Sequence, residues 1–181
     1  MERVFGRSSV LMIFTSQSGL TDRTRESEWD AWYVGHLDTM VSVPGITSAQ
    51  RFKTSMPEYS PSLAMYSVAS PAVFEDPYYL SVRGMGEWVP LIDRRHYTRN
   101  LFEGLDYAPE VAEDMFLVVA DRDRPEPGRA GIEWIWLTCV GIDRAVRYRG
   151  IAVVPQKIAD RARRHAGIGV YKPAGPVHKS K

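Results

Sequence analysis

The sequence predicts an α+β protein made of two ferredoxin-like units, with antiparallel sheets and helices on their outer faces. Three observations carry this. Segments of period 2 and period 3.6 follow one another in the order β-α-β-β-α-β up to Glu103; a weaker, strand-rich repeat begins at Asp114; and one long helix carries a single apolar stripe. The stripe is Trp29, Trp32, Tyr33, His36, Leu37, Met40 and Val41, recurring at i, i+3, i+4 and i+7.

Ser9 to Ser16 reads as a buried strand, and Leu20 to Ser27 as a polar loop leading into the helix. Ser27 is the expected N-cap, with Glu28 and Asp30 in the first turn, where the helix dipole favours acids. Pro44 disfavours helical geometry in the residue before it, so the helix stops near Val43 and Gly45 completes the turn. Ile46 to Lys53 alternates as a strand, and Leu63 to Ala69 forms the next. Ser70-Pro71 and Asp76-Pro77 each place a capping side chain before a proline that has no N–H to lose, which predicts one short turn and then a helix to about Arg83. After Gly84-Met85-Gly86, Arg95 to Glu103 alternates as a fourth strand.

The second half predicts strands at Met115 to Ala120, Ile132 to Val140, Val146 to Val154 and Ile168 to Lys172, a Pro/Gly-rich loop at Pro125 to Gly131, and a helix from Gln156 to His165. Residues 1–110 form the first unit, 111–175 a degenerate second one, and the end of the chain, from Ala174 and above all 176–181, is expected to fray.

Composition narrows the function classes. With 44% hydrophobic and 25% charged residues the chain is of ordinary globular type, which excludes disordered and collagen-like classes. No apolar run approaches the roughly 20 residues of a membrane span and no leader is apparent, so a cytoplasmic protein without membrane partners is expected. Cys139 has no intrachain partner, and the four histidines show no zinc spacing, so no metal site is predicted. Residues 1–120 hold 10 Lys/Arg against 16 Asp/Glu and residues 121–181 hold 13 against 6, so the halves carry opposite charge. Arg161, Arg163 and Arg164 read as a solvated helix side or as a steering patch for an anion; without a compact basic tract, nucleic acid is not an expected partner.

Glu28-Trp29-Asp30-Ala31-Trp32-Tyr33-Val34-Gly35-His36, followed by Val43-Pro44-Gly45-Ile46, Gln50-Arg51-Phe52 and Tyr66-Ser67-Val68-Ala69-Ser70-Pro71, resembles the EthD-like branch of the dimeric α+β barrel superfamily. That branch often carries a W-Y-x-x-H helix, a V-P-G turn and an R-[FY] strand, and the likeness covers residues 8–105. It implies a sheet curling around a hydrophobic cavity, closed either by another chain, as a homodimer, or by the chain's own second half. Chemistries in this superfamily include cofactor-free oxygenation, isomerisation, dehydration and cyclisation, together with haem-dependent branches. The second half shows no W-Y-x-x-H, which leaves one candidate site per chain.

Periodicity alone reads His36 either as a satisfied core histidine or as a general acid or base; the resemblance, which places it on the family's helix histidine, favours the second. Tyr33, one turn earlier, is a hydrogen-bond donor to the same ligand or a core residue. His96 is placed on a strand face with Thr98, Asn100 and Phe102, so that His96 and Asn100 line the pocket if that face looks inward. Arg51 holds a carboxylate or enolate, or pairs with a local acid. Trp32, Trp88 and Trp134 are expected to shape a cavity for a flat apolar ligand, Trp88 from a Gly-Met-Gly lid and Trp134 on the side of its strand opposite Trp136. Haem would need an axial ligand from His36, His96 or His165, none of which is singled out, and no cofactor is expected. The reading is a cofactor-independent lyase or isomerase, of dehydratase or cyclase type, acting on a small aromatic or polyketide-like carbonyl compound. A cofactor-free monooxygenase and a non-catalytic carrier of an apolar metabolite are the alternatives.

Overall fold

The computed structural model describes residues 11–181, so the Ser9 end of the first expected strand lies outside the described residues. β1 (Met12–Ser18), β2 (Ile46–Lys53), β3 (Ser62–Val68) and β4 (Thr98–Glu103) run in the order β2-β3-β1-β4; β5 (Met115–Arg122), β6 (Ile135–Ile142), β7 (Tyr148–Pro155) and β8 (Gly169–Pro173) run in the order β6-β7-β5-β8. In each set the first and third strands lie in the middle, as a ferredoxin-like unit requires. Edge strands then join across the units, β4 to β6 and β8 to β2, so an antiparallel barrel closes within one chain.

Helices lie outside. α1 (Glu26–Val41), α2 (Pro77–Val82) and the 3-10 turns Pro71–Glu75 and Gly86–Leu91 belong to the first unit, and α3 (Gln156–Ala162) to the second. Between β5 and β6, where the first unit has α1, the second has only the Pro/Gly-rich loop of residues 123–134. The aromatic helix is therefore not duplicated.

Strand alternation sorts side chains into two environments. Ile13, Phe52, Leu63, Met65, Phe102, Leu117 and Tyr171 fill the barrel, while Met12, Phe14, Ala49, Ala64 and Tyr66 face α1 and pack against Trp29, Tyr33, Leu37 and Met40. Each large apolar side chain so buried contributes about 1.5–3 kcal/mol. A third cluster, with Val118, Ile132, Ala152, Ala159 and Ala162, lies under α3. The barrel's one buried cation, among the described residues, is Arg149, which donates to Asp121 Oδ1 at 2.7 Å, Gln17 Oε1 at 2.7 Å and Thr15 Oγ1 at 3.2 Å.

Several local expectations are corrected. Ser27 does not cap the helix: Asp22 accepts from Thr24 N at 3.0 Å and opens a 3-10 turn, Arg23–Arg25, that runs straight into α1 and leaves Ser27 inside its first turn. Trp134 and Trp136 share one face, as i, i+2 residues in extended backbone must, and pack side by side over Gly150 with ring centroids 6.0 Å apart. At the C-terminus a short strand stands within the stretch expected to fray. His178–Lys179 forms β9, paired with Ser48 and Ala49 of β2, and His178 Nδ1 bonds Asp38 Oδ1 at 2.6 Å.

Candidate functional site

Registers across the first unit place three rows of side chains under α1. The first row is Ala49, Tyr66, Phe14 and Leu101; the second is Arg51, Ala64, Ser16 and Arg99; the third begins Lys53, Ser62 and Ser18. Small residues occupy the two central strands in the second and third rows, and large aromatics of α1 stand above them.

Arg51 is the centre of this layer and is 3% exposed. Its Nε donates to Ser62 Oγ at 2.8 Å and its Nη1 to Asp30 Oδ1 at 2.7 Å, while the guanidinium lies over the rings of Trp29 (4.6 Å) and Tyr33 (4.2 Å). Lys53 Nζ also bonds Asp30, at 2.7 Å. Burial pushes the Asp30 carboxyl up, but Lys53 and Arg51 outweigh it and hold the group below the usual carboxylate range. Burial raises the pKa of the Tyr33 phenol, and that of Tyr66 more strongly, so both keep their protons at neutral pH and remain hydrogen-bond donors.

Among the described residues this layer holds buried donors with no partner within hydrogen-bond distance, the Tyr33 phenol standing beside the Tyr66 and Ser16 hydroxyls. Among the described residues the buried polar side-chain atoms without a partner are Ser18 Oγ, Trp29 Nε1, Tyr33 Oη, Arg51 Nη2, Trp88 Nε1, Arg99 Nε and Asn100 Nδ2. All except Asn100 belong to this layer. Leaving such an atom unmet costs about 1–3 kcal/mol, so native proteins keep few of them without a reason.

His36 does not share the sheet-facing line of Trp29, Tyr33 and Leu37. It stands about 60° round the helix from Tyr33, half-buried, with its ring stacked on Trp32 (centroids 4.7 Å apart, 13° between planes) and edge-on to Tyr33 (5.5 Å). Burial lowers its pKa from 6.5 to about 4, so the imidazole is neutral at pH 7.

Of the residues expected to form a site, Tyr33 and Arg51 meet in this layer, Trp88 belongs to the same apolar cluster, and Trp32 and His36 stand on its flank. Three do not join them. His96 lies in the turn before β4 rather than on the strand, because its N–H donates to Asp93 O at 3.0 Å and its carbonyl accepts from Ser60 Oγ at 3.1 Å. Asn100 points into the barrel, where Oδ1 accepts from Ala145 N at 2.8 Å. Trp134 packs with the cluster under α3. Ser16, Ser18, Trp29, Tyr66 and Arg99 join the layer without having been singled out as site residues. For Ser16, Ser18 and Arg99 the signal is the period of β1 and β4: polar Ser16 and Ser18 two apart after Phe14, and Arg99 two before Leu101. Two surface grooves of about 780 and 770 Å³ lie elsewhere, around Val43 to Thr47 with Lys179 and around Glu110 to Glu113 with Pro173, and His36 lines neither.

No family model matches the chain, and no curated protein matches it. Three solved structures share its course. A protein provisionally named a chlorite dismutase superposes with a TM-score of 0.56 at 10% identity, covering 90% of this chain and 94% of its own. A provisionally named monooxygenase from Lactobacillus acidophilus NCFM gives a TM-score of 0.55 at 7% identity, covering 94% and 96%. Another from Fusobacterium nucleatum subsp. nucleatum ATCC 25586 gives 0.50 at 8%, covering 93% and 92%. At such identities the likeness is one of fold: this chain is an α+β barrel of ferredoxin-like units over nearly its full length.

Proposed function

We propose that the layer between α1 and the first unit's sheet is an active site for proton transfer next to a carbonyl group, in a small aromatic or polyketide-like compound. The observation that carries this is the pair of unmet donors, Arg51 Nη2 and Tyr33 Oη, held against each other beside a neutral imidazole. Both can donate to an enolate oxygen, and donors preorganised for one are worth roughly 2.7–4 kcal/mol each in the transition state. His36, uncharged at pH 7, takes the proton from the adjacent carbon; Trp32 fixes its ring plane, and Trp29 and Trp88 provide apolar walls. The site's groups all come from one chain, so pairing into a homodimer is not needed to complete it. Dehydration, isomerisation and cyclisation all fit this machinery, and the two stretches that resemble the EthD-like W-Y-x-x-H helix and R-[FY] strand supply Trp32, Tyr33, His36 and Arg51.

Cofactor-free oxygenation is the second reading, favoured by the monooxygenase names of two structures with this fold. There the same base makes a carbanion that reacts with O₂. A carrier that binds without turnover is the third.

Exchange of the acidic C–H of phenylpyruvate and benzoylacetone in D₂O, followed by proton NMR, tests the proposal. The wild-type protein should accelerate exchange and His36→Ala should lose about 10²–10⁴-fold. A variant as fast as wild type removes His36 from the mechanism. Binding of the probes without exchange supports the carrier, and oxygen uptake with them supports the oxygenase.

A further inference from the structure

The second row of the sheet has an arginine at each end and small residues between. Arg51 pairs with Ala64, Ala64 with Ser16, and Ser16 with Arg99, which sets the two arginine Cα atoms three strand spacings apart, about 14 Å. Arg51 shares its charge with Asp30; the Arg99 guanidinium has no carboxylate within salt-bridge distance among the described residues and is flanked by Tyr97, whose ring centroid is 5.9 Å away, and by the Tyr79 phenol. Asp143 binds only the backbone of Arg99, accepting from its N–H at 2.7 Å.

The unmet atoms of this layer also have one chemical sense. Trp29 Nε1, Trp88 Nε1, Arg51 Nη2 and Arg99 Nε can only donate, and Ser18 Oγ and Tyr33 Oη can. The missing partners of the four donor-only atoms are therefore acceptors, and two of these donors carry full positive charge. The neighbouring row adds Phe14 and Tyr66, stacked at 5.3 Å, and α1 adds Trp29 and Tyr33, so the layer between the arginines is packed with flat rings.

From this we infer that the guest is a planar organic anion bearing an ionised oxygen group at both ends, one end held by Arg51 and Tyr33 and the other by Arg99. The inference rests on the preceding reading for the location of the site and adds the charge and reach of its ligand.

Isothermal titration with naphthalene-2,6-dicarboxylate, naphthalene-2-carboxylate and naphthalene-2-carboxamide provides the test. Wild-type protein should bind them in that order, each lost charge weakening binding about 10- to 100-fold. Arg99→Gln should bring the dicarboxylate down to the level of the monocarboxylate and leave the monocarboxylate unchanged. Arg99→Lys, which keeps the charge and the fold but loses Nε–H, should fall between. Equal binding of dicarboxylate and carboxamide by wild type overturns the inference, as does an Arg99→Gln loss that is the same for both acids. Calorimetry needs no turnover, so the two proposals fail separately: ranked binding without proton exchange refutes only the proton-transfer reading, and exchange without ranked binding refutes only this one.

Discussion

Replacing Arg51 by methionine should leave the protein nearly as stable as it is, whereas replacing its partner Asp30 should not. Arg51→Met removes two hydrogen bonds, to Ser62 Oγ (2.8 Å) and Asp30 (2.7 Å), and the guanidinium's contacts with Trp29 and Tyr33. Hydrogen bonds to a charged group are worth about 1.5–3 kcal/mol each. Against them stand the desolvation of a guanidinium whose side chain is 4% exposed, several kcal/mol, and an unmet Nη2–H at about 1–3 kcal/mol. A thioether chain of similar length keeps the packing, so the net change is expected within about 1 kcal/mol of zero. Asp30→Asn instead leaves the cation buried with a weaker partner. Because the Asp30 side chain is 37% exposed, the cost is discounted from that of a fully buried pair to about 1–3 kcal/mol. Urea denaturation at pH 7, followed by tryptophan fluorescence, measures both. If Arg51→Met proves the more destabilising of the two, Arg51 is a structural strut and the case for a ligand-binding charge collapses.

Other expectations follow from single features. His36 is neutral in the folded protein down to about pH 4 while the unfolded chain protonates near 6.5, so stability falls as pH drops through that window, by at most about 3 kcal/mol. Relative to wild type, His36→Gln should flatten this part of the curve, and parallel curves would show that the ring is solvated. Gly45 has φ +92°, and a Cβ there would lie 2.6 Å from Val73 Cγ2; Gly45→Ala should cost roughly 2 kcal/mol or more in thermal or urea melts. Asn100→Ala strands the Ala145 N–H and should cost about 1–3 kcal/mol without weakening naphthalene-2-carboxylate binding, since Asn100 faces the barrel. Removing 176–181 deletes β9 and the His178–Asp38 bond; amide exchange at Ala49 should accelerate, and unchanged exchange would mean β9 does not protect that edge.

The strands and the long helix were legible because one face of each is buried and the period of the sequence records it. β2 matches its expected span, Ile46 to Lys53, and the Ser70-Pro71 and Asp76-Pro77 devices open the turn and helix they predict, with Ser70 Oγ accepting from Ala72 N and the Asp76 carboxylate from Tyr78 N. Barrel closure was legible only through the family resemblance, and then with its source left open; β4–β6 and β8–β2 pairing is set by edges that no local pattern marks. The helix start was missed because Asp22 competes with Ser27 as a cap and wins by forming a turn first. His96 was misplaced because alternation runs on in sequence past the point where Asp93 anchors a turn: its carboxylate accepts from Arg95 N at 3.0 Å, and its carbonyl from the His96 N–H. Arg51 and Tyr33 were recognisable as chemistry-bearing residues, but the second arginine was not: Arg99 acquires its meaning from Ser16 and Ala64, two strands that bring it level with Arg51.

The claim on which the rest depends is that acceptor-bearing ligands enter beneath α1, among donors that protein atoms leave unmet. Indole N–H resonances report this directly, since the chain has five tryptophans and only Trp29 and Trp88 hold unmet N–H groups in that layer. In a ¹⁵N-labelled sample titrated with naphthalene-2,6-dicarboxylate, the Trp29 and Trp88 indole peaks should move downfield in a saturable way while those of Trp134 and Trp136 stay in place. Saturable shifts confined to Trp134 and Trp136, or none at any indole, would contradict the account.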